Sequence, residues 1–287
     1  MQPQQFQTWL DDPRRPTLVM GVLNVTPDSF SDGGQFLDPA AAEHQALRMA
    51  AQGADLIDIG AESTRPGSQR VPADEQIRRL RPVLQRLGRQ PPCVLSIDTT
   101  RAQVAQMALD HGVSLVNDIS AGRDDPAMLP LVASRGVPVV LMHMRGQPAD
   151  MQQDPRYRDV VAEVRAFLAR RLHAARQAGV PERNVLLDPG IGFGKTLEHN
   201  LALLAGLPAL ASLGRPLLVG TSRKAFIGRL TGEQDPRRRL WGTAASVAWC
   251  AANGAAIVRV HDVEPMAAVV RVARAIALAG RPPATQL

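Results

Sequence analysis

The chain has only two cysteines, Cys93 and Cys250, far apart and set among apolar neighbours. That excludes a disulfide framework and a cysteine-built zinc site. Lysine is scarce as well: Lys195 and Lys224 are the only lysines among 33 basic side chains. A lysine kept in so arginine-rich a chain is a candidate for work that arginine cannot do. Aromatic residues make up 3% of the chain, and no basic run is interleaved with them, so a nucleic-acid groove is not indicated. No apolar run reaches the roughly 18 residues that span a bilayer. The opening Met1-Gln2-Pro3-Gln4-Gln5 has neither the basic nor the apolar part of a signal peptide. These absences predict a cytoplasmic protein with reduced thiols and no membrane or nucleic-acid partner.

What is present has an ordinary globular balance: 287 residues, 45% hydrophobic and 21% charged, enough to bury a large core. The net charge of +6 is spread along the chain, and a small anionic substrate accounts for it as well as nucleic acid does. Short aliphatic runs alternate with longer Ala/Leu/Arg stretches of helical period. The runs are Thr17–Val25, Ala54–Gly60, Cys93–Asp98, Ser114–Ile119, Val137–Met142, Asn184–Asp188, Pro216–Gly220 and Ala255–Val260. Each is nearly continuous in apolar character, as strands covered on both faces are. The helical stretches are Pro39–Gln52, Ala73–Leu87, Arg101–Asp110, Pro126–Ala133, Tyr157–Ala178, Glu198–Leu213, Pro236–Ala252 and Glu264–Leu278. Eight such units predict an α/β protein, a single-domain (β/α)8 TIM barrel over 17–280 after an N-terminal extension at 1–16. A doubly wound open sheet is the competitor, but the dinucleotide fingerprint after its first strand is missing.

Chemistry in such a barrel sits at the C-terminal ends of the strands. The eight runs end in Asn24, Asp58 to Arg65, Asp98 to Arg101, Asn117-Asp118, His143, Asp188-Pro189-Gly190, Thr221 to Lys224 and Arg259 to Asp262. Thr100 and Ser222 could be plain helix caps. Asp98, Asn117 and Asp188 lie within buried strands, where a polar group needs a partner. Asp58 reads as a structural hydrogen-bond partner, His143 as a satisfied residue at the mouth, and Lys195 as a loop anchor or a site residue. Two connections, Thr26–Phe36 and Ser63–Val71, exceed the usual βα turn and read as long mobile lids. The segment Asp188 to Thr196 resembles a phosphate loop, but Pro189 stands where that motif needs glycine. It reads instead as a tight glycine turn beside a flat ligand, with Phe193 for stacking.

These residues also form an ordered set. Gly21-Val22-Leu23-Asn24-Val25-Thr26-Pro27-Asp28-Ser29-Phe30-Ser31-Asp32-Gly33-Gly34 and Glu62-Ser63-Thr64-Arg65-Pro66-Gly67 resemble the two signatures of the dihydropteroate synthase family. Ser96 to Thr99, Asn117 to Ile119, Asp188 to Lys195, Ser222 to Lys224 and Arg259 to Asp262 follow in the family's order. The resemblance implies a barrel enzyme of folate synthesis and a sulfonamide target. Such an enzyme joins 6-hydroxymethyl-7,8-dihydropterin pyrophosphate to p-aminobenzoate and releases pyrophosphate with the help of magnesium.

The resemblance also implies roles. Asp98, Asn117, Asp188 and Lys224 bind the pterin edge, and Ile119, Met142 and Phe193 line its faces. Arg259 and His261 hold the pyrophosphate, joined by Asn24 and Arg65, and Asn24 ligates Mg2+. Phe30, Ser31, Thr64 and Pro66 form the p-aminobenzoate pocket. Asp98, Lys224 and Arg65 are the catalytic candidates, and a homodimer is expected. One position departs from many members of the family, which carry serine after Ser-Arg-Lys; here it is Ala225, so the p-aminobenzoate carboxylate is left to backbone N–H groups. A methyl-transferring pterin barrel could share the pterin pocket but would not need Asn24 to Gly34, Arg65-Pro66-Gly67 or Ser222-Arg223-Lys224. A non-catalytic paralogue should have lost anion-site residues, and none is lost.

Overall fold

The computed structural model describes residues 1–26, 38–63 and 67–279. Its elements run α1 (Pro3–Asp11), β1 (Leu18–Asn24), α2 (Pro39–Ala51), β2 (Leu56–Gly60), α3 (Ala73–Leu87), β3 (Val94–Asp98), α4 (Ala102–Asp110), β4 (Leu115–Asp118), α5 (Met128–Arg135), β5 (Val139–Met142), α6 (Val160–Gln177), β6 (Val185–Asp188), α7 (Leu197–Ala205), α8 (Leu207–Ala211), β7 (Leu217–Gly220), α9 (Ala225–Thr231), α10 (Leu240–Ala252), β8 (Ala255–Val260) and α11 (Val263–Ala279). The strands are parallel and close in sequence order, with β8 paired back onto β1. The expected (β/α)8 barrel is therefore the fold, and each strand lies within two residues of its predicted run.

Side chains alternate between two apolar shells because the strand period is two. Val19, Ile57, Leu95, Val116, Val139, Leu187, Val219 and Val258 pack outward under the helices. Leu18, Met20, Leu56, Val94, Leu115, Val140, Leu186, Leu218 and Ile257 fill the barrel interior. Helix α1 packs against this inner layer with Phe6, Trp9 and Leu10, all buried. Phe6 and Trp9 stack at 5.3 Å, and Trp9 Nε1 donates to the Pro16 carbonyl at 2.8 Å. Burying Phe6 and Leu10 contributes about 1.5–3 kcal/mol each. The interior is thus packed and floored at one end, and open for chemistry only at the other.

Three local features depart from the predicted helices. The stretch predicted as Glu198–Leu213 breaks into α7 and α8 at Gly206-Leu207-Pro208. Pro208 lacks an N–H and its ring crowds the preceding turn, while a Cβ at Gly206 would press on Val161. Predicted Pro236–Ala252 begins with one 3-10 turn, Pro236–Arg238, before α10. Between β7 and α10 lies α9, which sequence patterning missed; Arg223, at φ 61°, turns the chain into it. Among the described residues no helix is long and apolar enough to cross a membrane.

Candidate active site at the barrel mouth

The inner apolar layer places the polar residues. Two positions past Leu56, Leu115, Val140, Leu186, Leu218 and Ile257 stand Asp58, Asn117, Met142, Asp188, Gly220 and Arg259. Asp98 stands four past Val94 and is in register with Asn117. Met142 is in register with Asp188, and Gly220 with Arg259. Strand alternation alone therefore gathers five of the predicted residues at the mouth, together with Asp58.

Arg259 is the hub of their charges. Its Nε donates to Asp58 Oδ2 at 2.7 Å and a terminal N–H to Asp98 Oδ2 at 2.9 Å. Asn117 Nδ2 donates to the same Asp58 oxygen at 2.9 Å. Asp58 is 0% exposed, and its one oxygen orients both neighbours. Burial pushes the Asp98 carboxyl above its ordinary range; Arg259 opposes this and the Asp58 charge adds to it. Burial also raises Asp188, with Lys224 the main opposing charge. Asn117 Oδ1 is buried with no partner among the described residues. Next to two carboxylates, it is an acceptor built for a donor from elsewhere.

The glycine turn after β6 forms one wall. Gly190, Gly192 and Gly194 all have positive φ, at 66°, 84° and 64°. A Cβ at Gly190 would strike the His143 carbonyl, and one at Gly194 the Arg145 carbonyl, so the turn lies flat on the chain after β5. Lys224 donates to the Ile191 carbonyl, and its ammonium stands 4.9 Å from the centre of the Phe193 ring. Burial lowers Lys224 to about 8, with Asp188 holding it up. Phe193 packs on a small apolar cluster of Ile119, Met142, Met144 and Met151. Met144 and Met151 were missed by sequence reasoning. Met151 lies in a loop where no periodicity points to burial.

After the neighbouring strands β7 and β8, Ser222 Oγ sits 3.0 Å from His261 Nδ1 and accepts from the His261 backbone N–H. Arg223 forks onto Asp262, with Nε 3.0 Å from Oδ2. Asn24 closes β1 and is half-buried. Glu62 accepts from the Val71 N–H and from Gln76 Nε2, which fixes the stem of the second predicted lid. Five predicted site residues, Phe30, Ser31, Thr64, Arg65 and Pro66, lie outside the described residues, as do most of the first lid and residues 64–66 of the second. Among the described residues no group of three or more His, Cys, Asp or Glu could cage a metal ion. A single amide oxygen at Asn24 suits magnesium, which keeps its waters and takes phosphate oxygens, when the ion arrives with a pyrophosphate.

Comparison with known proteins bears on this arrangement. The family model described as pterin binding enzyme matches residues 20–261. Dihydropteroate synthase of Synechocystis sp. is 49% identical over 270 residues, covering 94% of this chain and 93% of the relative. That of Mycobacterium leprae is 51% identical over 254 residues, covering 86% and 89%. The solved Xanthomonas albilineans dihydropteroate synthase with 4-aminobenzoic acid superposes with a TM-score of 0.86 at 47% identity, covering 95% of both chains. The same species' enzyme in complex with 7,8-dihydropteroate gives 0.82 at 44% identity, covering 95% of this chain and 96% of that one.

Proposed function

Because the chain belongs to the dihydropteroate synthase family, we infer that its barrel mouth carries out that family's reaction. It condenses 6-hydroxymethyl-7,8-dihydropterin pyrophosphate with p-aminobenzoate, giving 7,8-dihydropteroate and pyrophosphate. The observation that carries the placement of the substrate is the buried, unpartnered Asn117 Oδ1 at the end of the barrel where Asp98 and Asp188 also stand. A pterin edge supplies amino and amide N–H donors, and these three side chains supply acceptors in a site with little water. Lys224 supplies a donor to the ring. Ile119, Met142 and Phe193 cover its faces.

Arg259 links binding to chemistry. Its Nε stays on the buried Asp58, while the terminal N–H that holds Asp98 is the one free to turn to a pyrophosphate. His261, Arg65 and Asn24 complete the anion site, and Mg2+ neutralises the departing charge when bound. As Arg259 turns away, Asp98 is left uncompensated next to the pterin methylene. The C–O bond to pyrophosphate breaks first, and the electron-rich dihydropterin carries the resulting cation, which the Asp98 charge stabilises. The p-aminobenzoate amine then attacks the methylene carbon and loses its proton to solvent. Phe30, Ser31, Thr64 and Pro66 form its pocket. Its carboxylate meets backbone at Ala225, the first residue of α9.

The molecule is read as a homodimer. Trp241, 81% exposed, and Trp249 stand on α10, which packs on α11 with its exposed Val272, Ile276 and Leu278; apolar side chains exposed on two neighbouring helices suit a subunit contact. The cytoplasm is its compartment, in keeping with two buried free cysteines. Pyrophosphate release with and without p-aminobenzoate, and with and without a chelator, tests the reading. Release that needs the amine and is restored by magnesium supports it. Full turnover in excess chelator removes the magnesium assignment.

A further inference from the structure

Lys195 is 3% exposed, an unusual place for an ammonium group. Its Nζ lies 2.9 Å from the Phe193 carbonyl, 3.0 Å from His143 Nδ1 and 3.4 Å from the His143 carbonyl. Burial pushes Lys195 well below its ordinary range, with the Asp188 charge opposing this; as an ammonium it has three donors on one nitrogen, and here three acceptors surround that nitrogen. Arginine spreads its donors over a planar fork and cannot meet three acceptors around one point. This explains why one of the chain's two lysines stands here. His143 is itself fixed, edge-on to Phe167 at 4.8 Å, and burial beside Lys195 drives it far below its usual range, so its ring is neutral; with the proton on Nε2, Nδ1 accepts from Lys195.

The glycine turn is thus pinned at two points. Lys195 grips the Phe193 carbonyl from the side of β5, and Lys224 grips the Ile191 carbonyl from the pocket. The second grip is shared with binding, since Lys224 faces the pocket and has N–H donors beyond the one on Ile191 to offer a pterin. We propose that Lys195 is a positioning residue for pterin binding: it holds Ile191–Phe193 in place, so that the Phe193 ring and Lys224, anchored on the Ile191 carbonyl, stand ready for the ligand. Lys195 touches no substrate. It acts through the Phe193 ring, which covers the pterin face, and through the fixed backbone on which Lys224 is anchored. This rests on the pterin reading of the pocket.

The test compares K195M and K224M in the full-length enzyme, by calorimetry with 6-hydroxymethylpterin and by steady-state kinetics. The expected result for K195M is about tenfold weaker pterin binding and a matching rise in KM for the pterin substrate. Its kcat and its KM for p-aminobenzoate at saturating pterin should stay within about twofold of wild type. If K195M is insoluble, K195R keeps the charge but not the three-point geometry, and the same weakening is expected. Wild-type binding by K195M, with K224M impaired, overturns the proposal and spares the pocket reading. Wild-type binding by both variants overturns the pocket reading and the proposal with it. A loss confined to kcat also overturns it, since Lys195 would then act on the reacting atoms.

Discussion

Asp58→Asn isolates the charge of the buried carboxylate that organises the mouth. Asp58 Oδ2 accepts from Arg259 Nε at 2.7 Å and from Asn117 Nδ2 at 2.9 Å, while Oδ1 has no partner among the described residues. Asparagine can keep its oxygen at the first position and place its NH2 at the second. The shape is retained and one negative charge is removed. Breaking a buried ion pair by losing one partner costs about 3–5 kcal/mol. Arg259 keeps Asp98, so the lower figure applies, about 3 kcal/mol. At about 2–4 °C per kcal/mol for a chain of this size, the melting midpoint should fall by about 6–12 °C. A second effect follows from charge. Asp58 helps hold Asp98 above its ordinary range, so its loss lowers Asp98 and tightens Asp98's hold on Arg259. Less of that guanidinium is then free for pyrophosphate, and KM for the pterin substrate should rise. Differential scanning calorimetry and the pyrophosphate-release assay read both effects. A midpoint within about 2 °C of wild type, with KM unchanged, would refute the hub role of Asp58.

Three further outcomes are expected. Asp98→Asn keeps the hydrogen-bonding shape but removes the charge that a cationic transition state feels, so kcat should fall about 100-fold while pterin affinity falls less than tenfold, by single-turnover kinetics and calorimetry. Lys224, lowered by burial to about 8, is an ammonium below that pH and neutral above it. KM for the pterin substrate should therefore climb from pH 8 upward, approaching tenfold per pH unit, and the climb should vanish in K224M. Sedimentation equilibrium at micromolar concentration should give a dimer, and Trp241→Glu a monomer; a wild-type monomer would remove the α10–α11 face from that role.

The barrel was legible because its strands are covered on both faces and so stand out as short aliphatic runs. The same alternation made Asp98, Asn117 and Asp188 visible as polar residues in buried strands, and the structure gathers them at one end. Other features were illegible for physical reasons. Helix α1 has nine residues, glutamine-rich, and its three apolar side chains carry too little periodicity to mark it. Helix α9 is seven residues long and depends on Arg223 at φ 61°, a conformation that sequence favours only at glycine. Asp58 read as a structural partner, and the structure shows which groups it serves: Arg259 and Asn117 through one oxygen. Met151 and the three-point grip of Lys195 depend on the loop after β5 folding over the turn after β6, contacts that no local pattern encodes.

The floor formed by α1 has a consequence for folding. Phe6, Trp9 and Leu10 belong to one apolar cluster with side chains from all eight strands, including Ile257 of β8. Helix α1 precedes every strand of the barrel in the chain, yet its seat does not exist until β8 has paired with β1, so its docking is a late event with very long loop closure behind it. Trp9 is 5% exposed, whereas Trp241 and Trp249 are 81% and 49% exposed. The molecule therefore carries its own optical gauge: the share of its indole emission that comes from a dry, stacked environment reports whether the last staves of the barrel have met.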